Sequence, residues 1–417
     1  MAQLTDDCFA FGGPLMTIED ALGLIAERLP PVEECETIAL AEADGRIAAE
    51  DVVALIDLPP FRNSAVDGYA VRFDDLAPDG DTCLPSRGRL AAGASAEGVS
   101  ARGAAVRIFT GAPMPDDADT VFMQEDVRIE GEAVLLPAGL KRGANARPAG
   151  EDLGRGAVAI PAGQRLAPQN LALAAATGHG RIRVRRRLRV ALFSTGDELG
   201  EPGGPLRPGA IHDSNRVMLG ALLRRLGVDV SDLGILRDEA RCLAERLAEA
   251  AAGHDLILTS GGVSTGEEDH VKAAVEAAGR LVFWRLAIKP GRPVAMGVIG
   301  GTPFCGLPGN PVAVYVTLLF VVRPLLARLG GGTYARPLGV PVRAAFAYRK
   351  KTGRREFVRV SLRRAADGSV EAVKYPRDGA GVITSLTGSD GLAELADESR
   401  GVSDGDTILF HPHATLL

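Results

Sequence analysis

Three short stretches concentrate the polar chemistry that this 417-residue chain can offer. The first is Ser194-Thr195-Gly196-Asp197-Glu198. The second is Ser260-Gly261-Gly262-Val263-Ser264-Thr265-Gly266, followed by the acids Glu267, Glu268 and Asp269. The third is Leu307-Pro308-Gly309-Asn310-Pro311. Glycines let backbone N–H groups approach an anion, and a helix N-terminus adds a favourable dipole, so each stretch is a candidate phosphate cradle. Acids beside such a cradle repel a bare phosphate unless a cation lies between them. Hydroxyls and carboxylates with no nearby His/Cys cluster suit Mg²⁺ held partly by substrate phosphates. Singly, each feature also has an ordinary reading. Asp269 and Asp213 are placed to cap helices, Asp197 to turn the chain, and Leu-Pro-Gly-Asn-Pro to make a rigid turn. No stretch matches Gly-x-x-x-x-Gly-Lys-Ser/Thr, and no Gly-x-Gly-x-x-Gly follows a strand, which disfavours P-loop and dinucleotide sites.

Further polar groups cluster elsewhere. Lys289 and Arg292 sit on the Pro/Gly-stiffened segment Ile288-Lys-Pro-Gly-Arg-Pro293 and are expected to clamp anions. Asn63, Ser64, Asp67 and Tyr69 crowd one loop whose Asp67-Gly68 pair signals a hairpin. Phe109-Thr110-Gly-Ala-Pro-Met-Pro115 and Gln124-Glu-Asp126 are similarly rich in polar and turn residues. His179, His254, His411 and His413 have no partners nearby in sequence and are expected to be structural; His212, beside Asp213, is left open.

The elements that position these groups follow from periodicity. Residues 17–29 read as an amphipathic helix capped by Thr17 with Asp20 three residues on, and Pro30-Pro31 stops it. Residues 58–147 change texture to short β runs broken by Gly, Pro and Asp. They read as a small mainly-β unit inserted between more helical segments, whose flanks pair with each other and make the first domain, 1–57 and 148–185, discontinuous. Residues 186–330 alternate strand and helix, the mark of a doubly wound α/β domain whose loops converge at the carboxyl ends of its strands. Strands are expected at 189–193, 229–236, 255–258, 281–286 and 294–298, with the segment from Phe304 read as a loop. Residues 335–417 return to short strands spaced for a small β-barrel.

Length alone calls for two to four domains. Apolar residues at 46% and charged residues at 24% describe a globular chain, and a net charge of −6 argues against nucleic acid or an anionic membrane as partner. The five cysteines never form a Cys-x-x-Cys pair, so neither a disulfide framework nor a zinc site is expected. No apolar run is read as a membrane span; Val312–Val322 is expected to be a buried helix. A cytoplasmic setting is the resulting expectation.

Taken together, the motifs resemble the molybdopterin molybdenumtransferase (MoeA-type) family. The segments that carry the resemblance are Pro60-Phe-Arg-Asn-Ser-Ala-Val-Asp-Gly-Tyr-Ala70, Thr110-Gly-Ala-Pro-Met-Pro115 and Gly150-Glu-Asp152. They continue with Ser194-Thr-Gly-Asp-Glu-Leu199, Asp213-Ser-Asn215, Ser260 to Asp269, Lys289-Pro-Gly-Arg-Pro293 and Leu307 to Pro311. The resemblance implies that the discontinuous domain is elongated and its insert a lid, in a homodimer whose sites are shared between the α/β domain of one chain and the lid of the other. It implies adenylylated molybdopterin and molybdate as substrates, Mg²⁺ as cofactor and release of AMP. A molybdopterin adenylyltransferase and acceptor apo-enzymes are the implied protein partners. Carried over by position, Asp67, Asp152, Glu198, Asp213 and Asp269 would be catalytic, the last three also binding metal. Ser64, Thr110, Thr195, Gly196, Ser260, Gly261, Gly262, Ser264, Lys289, Arg292 and the Pro308-Gly309-Asn310-Pro311 turn would contact substrate. So would Arg285, which stands where the family often has Lys and trades a point charge for a planar fork. A competence-damage or nicotinamide-nucleotide hydrolase shares the α/β domain but would lack the Asn-Ser-Ala-x-Asp-Gly-Tyr-Ala insert. A gephyrin-like scaffold would carry long linkers or a fused domain.

Overall fold

The computed structural model describes residues 15–236, 240–261 and 270–416. Its centre is a six-stranded sheet in the order Asp229–Ile235, Arg189–Ser194, Leu256–Ser260, Thr302–Leu307, Pro293–Ile299, Gly279–Arg285. The first four strands are parallel. Pro293–Ile299 runs against both of its neighbours. The sheet is therefore mixed, which the strand–helix alternation alone did not reveal. The cause is local: Gly300 and Gly301 both take positive φ, the backbone that a two-residue hairpin needs. The same hairpin turns the expected loop from Phe304 into a strand, Thr302–Leu307, buried at every residue. It lies third from the Gly279–Arg285 edge and directly beside Leu256–Ser260, in the middle of the sheet.

Reversal has a functional consequence. Ser194 pairs with Ser260, Ser260 with Leu307, Ala295 with Gly306, and Arg285 with Pro293. The start of the reversed strand thus lies on the same edge as the carboxyl ends of the others. Lys289 and Arg292, just upstream of Pro293, are delivered to that edge.

Both faces of the sheet are covered. Ser214–Arg225, Ile18–Arg28 and the Pro311–Leu329 helix share one core; Ala240–Gly253 and His270–Ala278 cover the other face. Thr17 and Asp20 form the expected capping box at 3.0 Å in each direction. Residues 311–329 form 19 residues of continuous helix with a π turn at Leu318–Val322, and by length and composition they would suffice to cross a membrane. The buried helix expected at Val312–Val322 is present and runs on to Leu329. The helix is apolar all round because it is buried all round, at the centre of the larger core.

The first region reaches this sheet through paired segments. Cys35–Ala39 pairs with Arg181–Arg185, Val52–Val53 with Val158–Ile160, and Asn63–Ser64 with Ala146–Arg147. Between the last two segments lies a second six-stranded sheet centred on Gly68–Val71, Ala105–Ile108 and Thr82–Leu90. At the other end, Val340–Ala344, Val370–Lys374, Arg355–Arg364, Gly391–Leu395 and Thr407–Pro412 close into a five-stranded barrel. Ile288–Lys289 adds alongside Arg355–Glu356, so the barrel is stitched to the crevice edge.

One cluster of ion pairs ties the sheet to the first region through Arg186, which also reaches Glu34 at 3.3 Å. Asp255, its side chain 2% exposed, accepts from both Arg186 nitrogens at 2.7 and 2.9 Å and from the Arg189 N–H at 2.7 Å. Burial pushes the Asp255 carboxyl up, but the Arg186 guanidinium and the Arg189 N–H outweigh it and hold it below the usual carboxylate range. Asp255→Ala is expected to cost about 3 kcal/mol, measured by denaturant unfolding, because Arg186 loses its buried partner. With its folded pKa depressed, Asp255 contributes fully above the ordinary aspartate range of about 4 and loses its contribution as pH falls through the lower folded value. The wild-type minus Asp255→Asn stability difference should therefore be flat from pH 7 to 5 and shrink only below about pH 4.

Candidate active site

At the carboxyl edge the loops after Ser194, Ser260 and Leu307 are bound to one another. The Thr195 N–H donates to the Ser260 carbonyl at 3.2 Å, and the Gly261 N–H to the Leu307 carbonyl at 3.1 Å. Asn215, in the first turn of Ser214–Arg225, donates through its amide to Ser260 Oγ at 2.9 Å and to the Gly309 carbonyl at 2.6 Å. The three predicted loops and a helix N-terminus thus meet at one place. Two glycines matter there, Gly261 because backbone stands against it and Gly196 for its positive φ. Gly261 has φ +87°, and a β-carbon on it would stand 2.5 Å from the Thr195 carbonyl oxygen. Gly196 has φ +145°, and its β-carbon would stand 2.6 Å from the Glu198 carboxylate.

Four polar atoms in this cluster, Ser194 Oγ, Thr195 Oγ1, Thr259 Oγ1 and Asn215 Oδ1, are buried and have no hydrogen-bond partner among the described residues. An orphaned buried group costs about 1–3 kcal/mol, so four together mark a place shaped for something other than the protein itself. Three are hydroxyls that can donate to anionic oxygens; the fourth accepts an N–H or O–H.

The predicted acids divide. Asp213, 1% exposed, accepts from the Arg216 N–H at 3.1 Å and from Arg216 Nε at 2.9 Å, so it caps the helix and holds a cation. Arg216 also grips Asp232 and Glu201, and these carboxylates hold its guanidinium above the ordinary arginine range against the opposing effect of burial. Glu198 is exposed and folds back over Gly196. Among the described residues no three His, Cys, Asp or Glu side chains converge on a metal position. Gly262, Ser264 and Asp269 lie outside the described residues.

The predicted cations also divide. Lys289 donates to Tyr348 at 2.9 Å and to the buried Glu356 at 3.1 Å, both in the barrel. Burial opposes its charge, but those two bonds prevail and hold Lys289 above the usual lysine range. Arg285 and Arg292 are exposed, and neither side chain has a partner among the described residues. Arg285 lies four strand spacings from Ser194, roughly 19 Å. No small oxyanion reaches both; an elongated ligand does.

The lid residues form a separate cluster. Asp67 accepts from the Thr110 N–H and hydroxyl, each at 2.8 Å. These two bonds, with help from Arg107, hold the Asp67 carboxyl below its usual range. Arg107 lies over the rings of Tyr69 and Phe109 and bonds the Gly68 carbonyl. Its place beside Asp67 was not foreseen, because nothing in its local sequence separates it from a solvated strand arginine. Ser64 is buried and turned to the Val66 carbonyl, while Asp152 is exposed. None of the hydrogen bonds of Asp67, Thr110 or Asp152 reaches the α/β domain of the same chain. The four histidines expected to be structural are so engaged: His179 with the Val53 carbonyl, His254 with Ala250, His411 with Glu394, and His413 with Tyr315.

Comparison with known proteins agrees with this arrangement. Residues 16–178 match the MoeA N-terminal region (domain I and II), residues 191–328 a probable molybdopterin binding domain, and residues 341–413 the MoeA C-terminal region (domain IV). A molybdopterin molybdenumtransferase of Haemophilus influenzae is 38% identical over 97% of this chain and 100% of its own length. One from Nostoc is 34% identical over 95% of this chain and 93% of its own. The crystal structure of a molybdopterin biosynthesis MoeA protein from Pyrococcus horikoshii superposes with a TM-score of 0.81 at 28% identity, covering 96% of this chain and all of that one. With all three regions present in order and identity sustained end to end, the chain belongs to the molybdopterin molybdenumtransferase family.

Proposed function

We propose that this protein inserts molybdate into adenylylated molybdopterin, with hydrolysis of the phosphoanhydride and release of AMP. The observation that carries the proposal is the set of four orphaned polar atoms at the carboxyl edge. The hydroxyls of Ser194, Thr195 and Thr259 would donate to phosphate oxygens, and Asn215 Oδ1 would accept from the pterin or ribose. The unpartnered Arg285 and Arg292, at the far end of the same edge, would neutralise molybdate. Lys289 is held by Glu356 and Tyr348 and would set the position of that loop. The family's substrate, a pterin joined to a nucleotide through two phosphates, has the length that the edge demands.

Mg²⁺ would be carried largely by phosphate oxygens and water, with Glu198 and Asp269 as the carboxylates that would hold it. Asp213 would act from behind, holding Arg216 and the helix start. Bound Mg²⁺ would supply charge neutralisation of the phosphoanhydride. Water attacks one phosphorus, the bridging oxygen leaves with AMP or with the pterin phosphate, and a carboxylate takes the proton.

We further propose a cytoplasmic homodimer in which Asp67, Thr110 and Asp152 of one chain face the crevice of the other. Exposed apolar side chains support it on both partners: Leu55 and Ile56 in the first region, Ile211 and Val217 beside Asp213. An upstream adenylyltransferase and downstream apo-enzymes would be transient partners.

AMP release from adenylylated molybdopterin should require molybdate and stop on chelation of Mg²⁺; release indifferent to both would refute the reading. Gly261→Ala should lower that rate about a hundredfold by forcing the loop off Thr195. An unaltered rate would remove Gly261 from the site. Mixing inactive Asp67→Asn and Thr195→Val chains after unfolding and refolding together should restore about a quarter of wild-type activity if sites are shared across a two-fold. No restoration would place each site within one chain.

A further inference from the structure

A second cleft lies at the opposite edge of the central sheet. Its volume is about 370 Å³, and its walls include Gly45, Leu188, Gly227 and Tyr334. Leu188 and Val228 immediately precede the strands Arg189–Ser194 and Asp229–Ile235, so this cleft opens at their amino ends, away from the crevice described above. Seven arginines line it, and no described acidic residue does.

Two of the seven are already neutralised: Arg46 by Glu36 and Arg186 by Asp255 and Glu34. The other five form no ion pair among the described residues. Arg165 donates to the Leu226 carbonyl at 3.0 Å, Arg187 to the Gly227 carbonyl at 3.2 Å, and Arg323 to the Leu416 carbonyl at 2.9 Å. Arg185 donates to the carbonyls of Val32 and Glu33 and keeps a buried Nε with no partner. Arg225 is exposed and has no side-chain partner among the described residues. Carbonyls fix these guanidinium groups in place without cancelling their charge. A nitrogen of Arg165 and one of Arg187 stand 3.3 and 3.7 Å from the position a β-carbon on Gly227 would take, so the two groups face the same small space. Partial burial and the charges of Arg323 and Arg187 hold Arg165 below the ordinary arginine range, with Asp44 opposing.

Fixed, convergent and uncompensated guanidinium groups make a pre-organised receptor for several phosphate oxygens at once. A cleft of this size admits a small molecule rather than a lone ion. We propose that this cleft is a second anion site, taking a diphosphate group, either as inorganic diphosphate or as the diphosphate arm of a nucleotide. Its walls come from the first region (Gly45, Arg165, Arg185), the α/β domain (Arg225, Arg323) and the linker to the barrel (Tyr334). An occupant therefore joins three parts of the chain.

Calorimetric titration of the full-length protein with inorganic diphosphate tests the proposal. Arg165→Gln/Arg187→Gln should bind at least tenfold more weakly than wild type, whereas Arg292→Ala, altered in the other crevice, should retain this site's affinity. Equal binding by the double variant, or loss of all binding in Arg292→Ala, overturns it, as does sulfate at equal ionic strength competing as well as diphosphate. Arg225→Gln removes a side chain with no contacts to lose; it should weaken binding about threefold with an unchanged unfolding midpoint, and unchanged affinity would count against the site. A parallel titration with ATP separates the sources: tighter binding than diphosphate assigns a nucleotide, and equal binding assigns the diphosphate group alone.

Discussion

The carboxyl edge depends on the amide of Asn215. One NH₂ group donates to Ser260 on one loop and to the Gly309 carbonyl on another, while the backbone of its own helix is fixed by Asp213. Two loops and a helix start, drawn from three separate stretches of the chain, are thereby held in one register. The amide oxygen is left over, buried and unsatisfied, along with three hydroxyls. A buried polar atom without a partner is tolerated only where the surroundings are rigid enough to prevent its collapse onto a neighbour. The rigidity comes from the sheet, where Ser194, Ser260 and Leu307 stand in consecutive register.

Charge is arranged around this rigid centre in two ways. Acidic groups are restrained by cations from within: Asp213 by Arg216, and Glu356 by Lys289 and Arg354. Cations at the sheet's end, Arg285 and Arg292, are left without internal partners. The antiparallel hairpin at Gly300-Gly301 brings these cations to the same edge as the hydroxyls. A purely parallel sheet would have sent the segment before Pro293 to the opposite side.

Much of this was legible in the chain. The capping box of Thr17 and Asp20, the loops after Ser194 and Ser260, and the turn at Leu307–Pro311 were readable because each depends on local residues. The reversal of Pro293–Ile299 and the strand Thr302–Leu307 were not, since strand direction is decided by partners distant in sequence. Asp213 carried two readings, cap and catalyst, and the geometry gives it the first. The engagement of Lys289 was hidden for a similar reason: Tyr348 and Glu356 lie some sixty residues on, in another domain. The arginine-lined cleft was split in sequence among positions 46, 165, 185–187, 225 and 323, none of which is remarkable among 47 basic residues.

The helix over residues 311–329 has a further consequence, for the order in which the protein is made. It is long and apolar enough to cross a membrane, and its core draws on both sides of the chain: Met16, Ile18, Ile25, Leu29 and Leu192 precede it, while Phe357, Leu392 and Leu416 follow it. Arg328 closes the packing through the Leu29 carbonyl, and the Val32 N–H returns to Leu329. During synthesis, domains fold from the N-terminal side first. By the time this helix leaves the ribosome, the helix Ile18–Arg28 and the first sheet strands have already been translated, while Phe357, which stacks on Phe320, has still to follow. A segment that could be read as a membrane anchor is thus handed to a core already begun. The same logic makes the early helix Ile18–Arg28 the exposed party: its apolar face must wait for nearly three hundred residues before its principal partner exists.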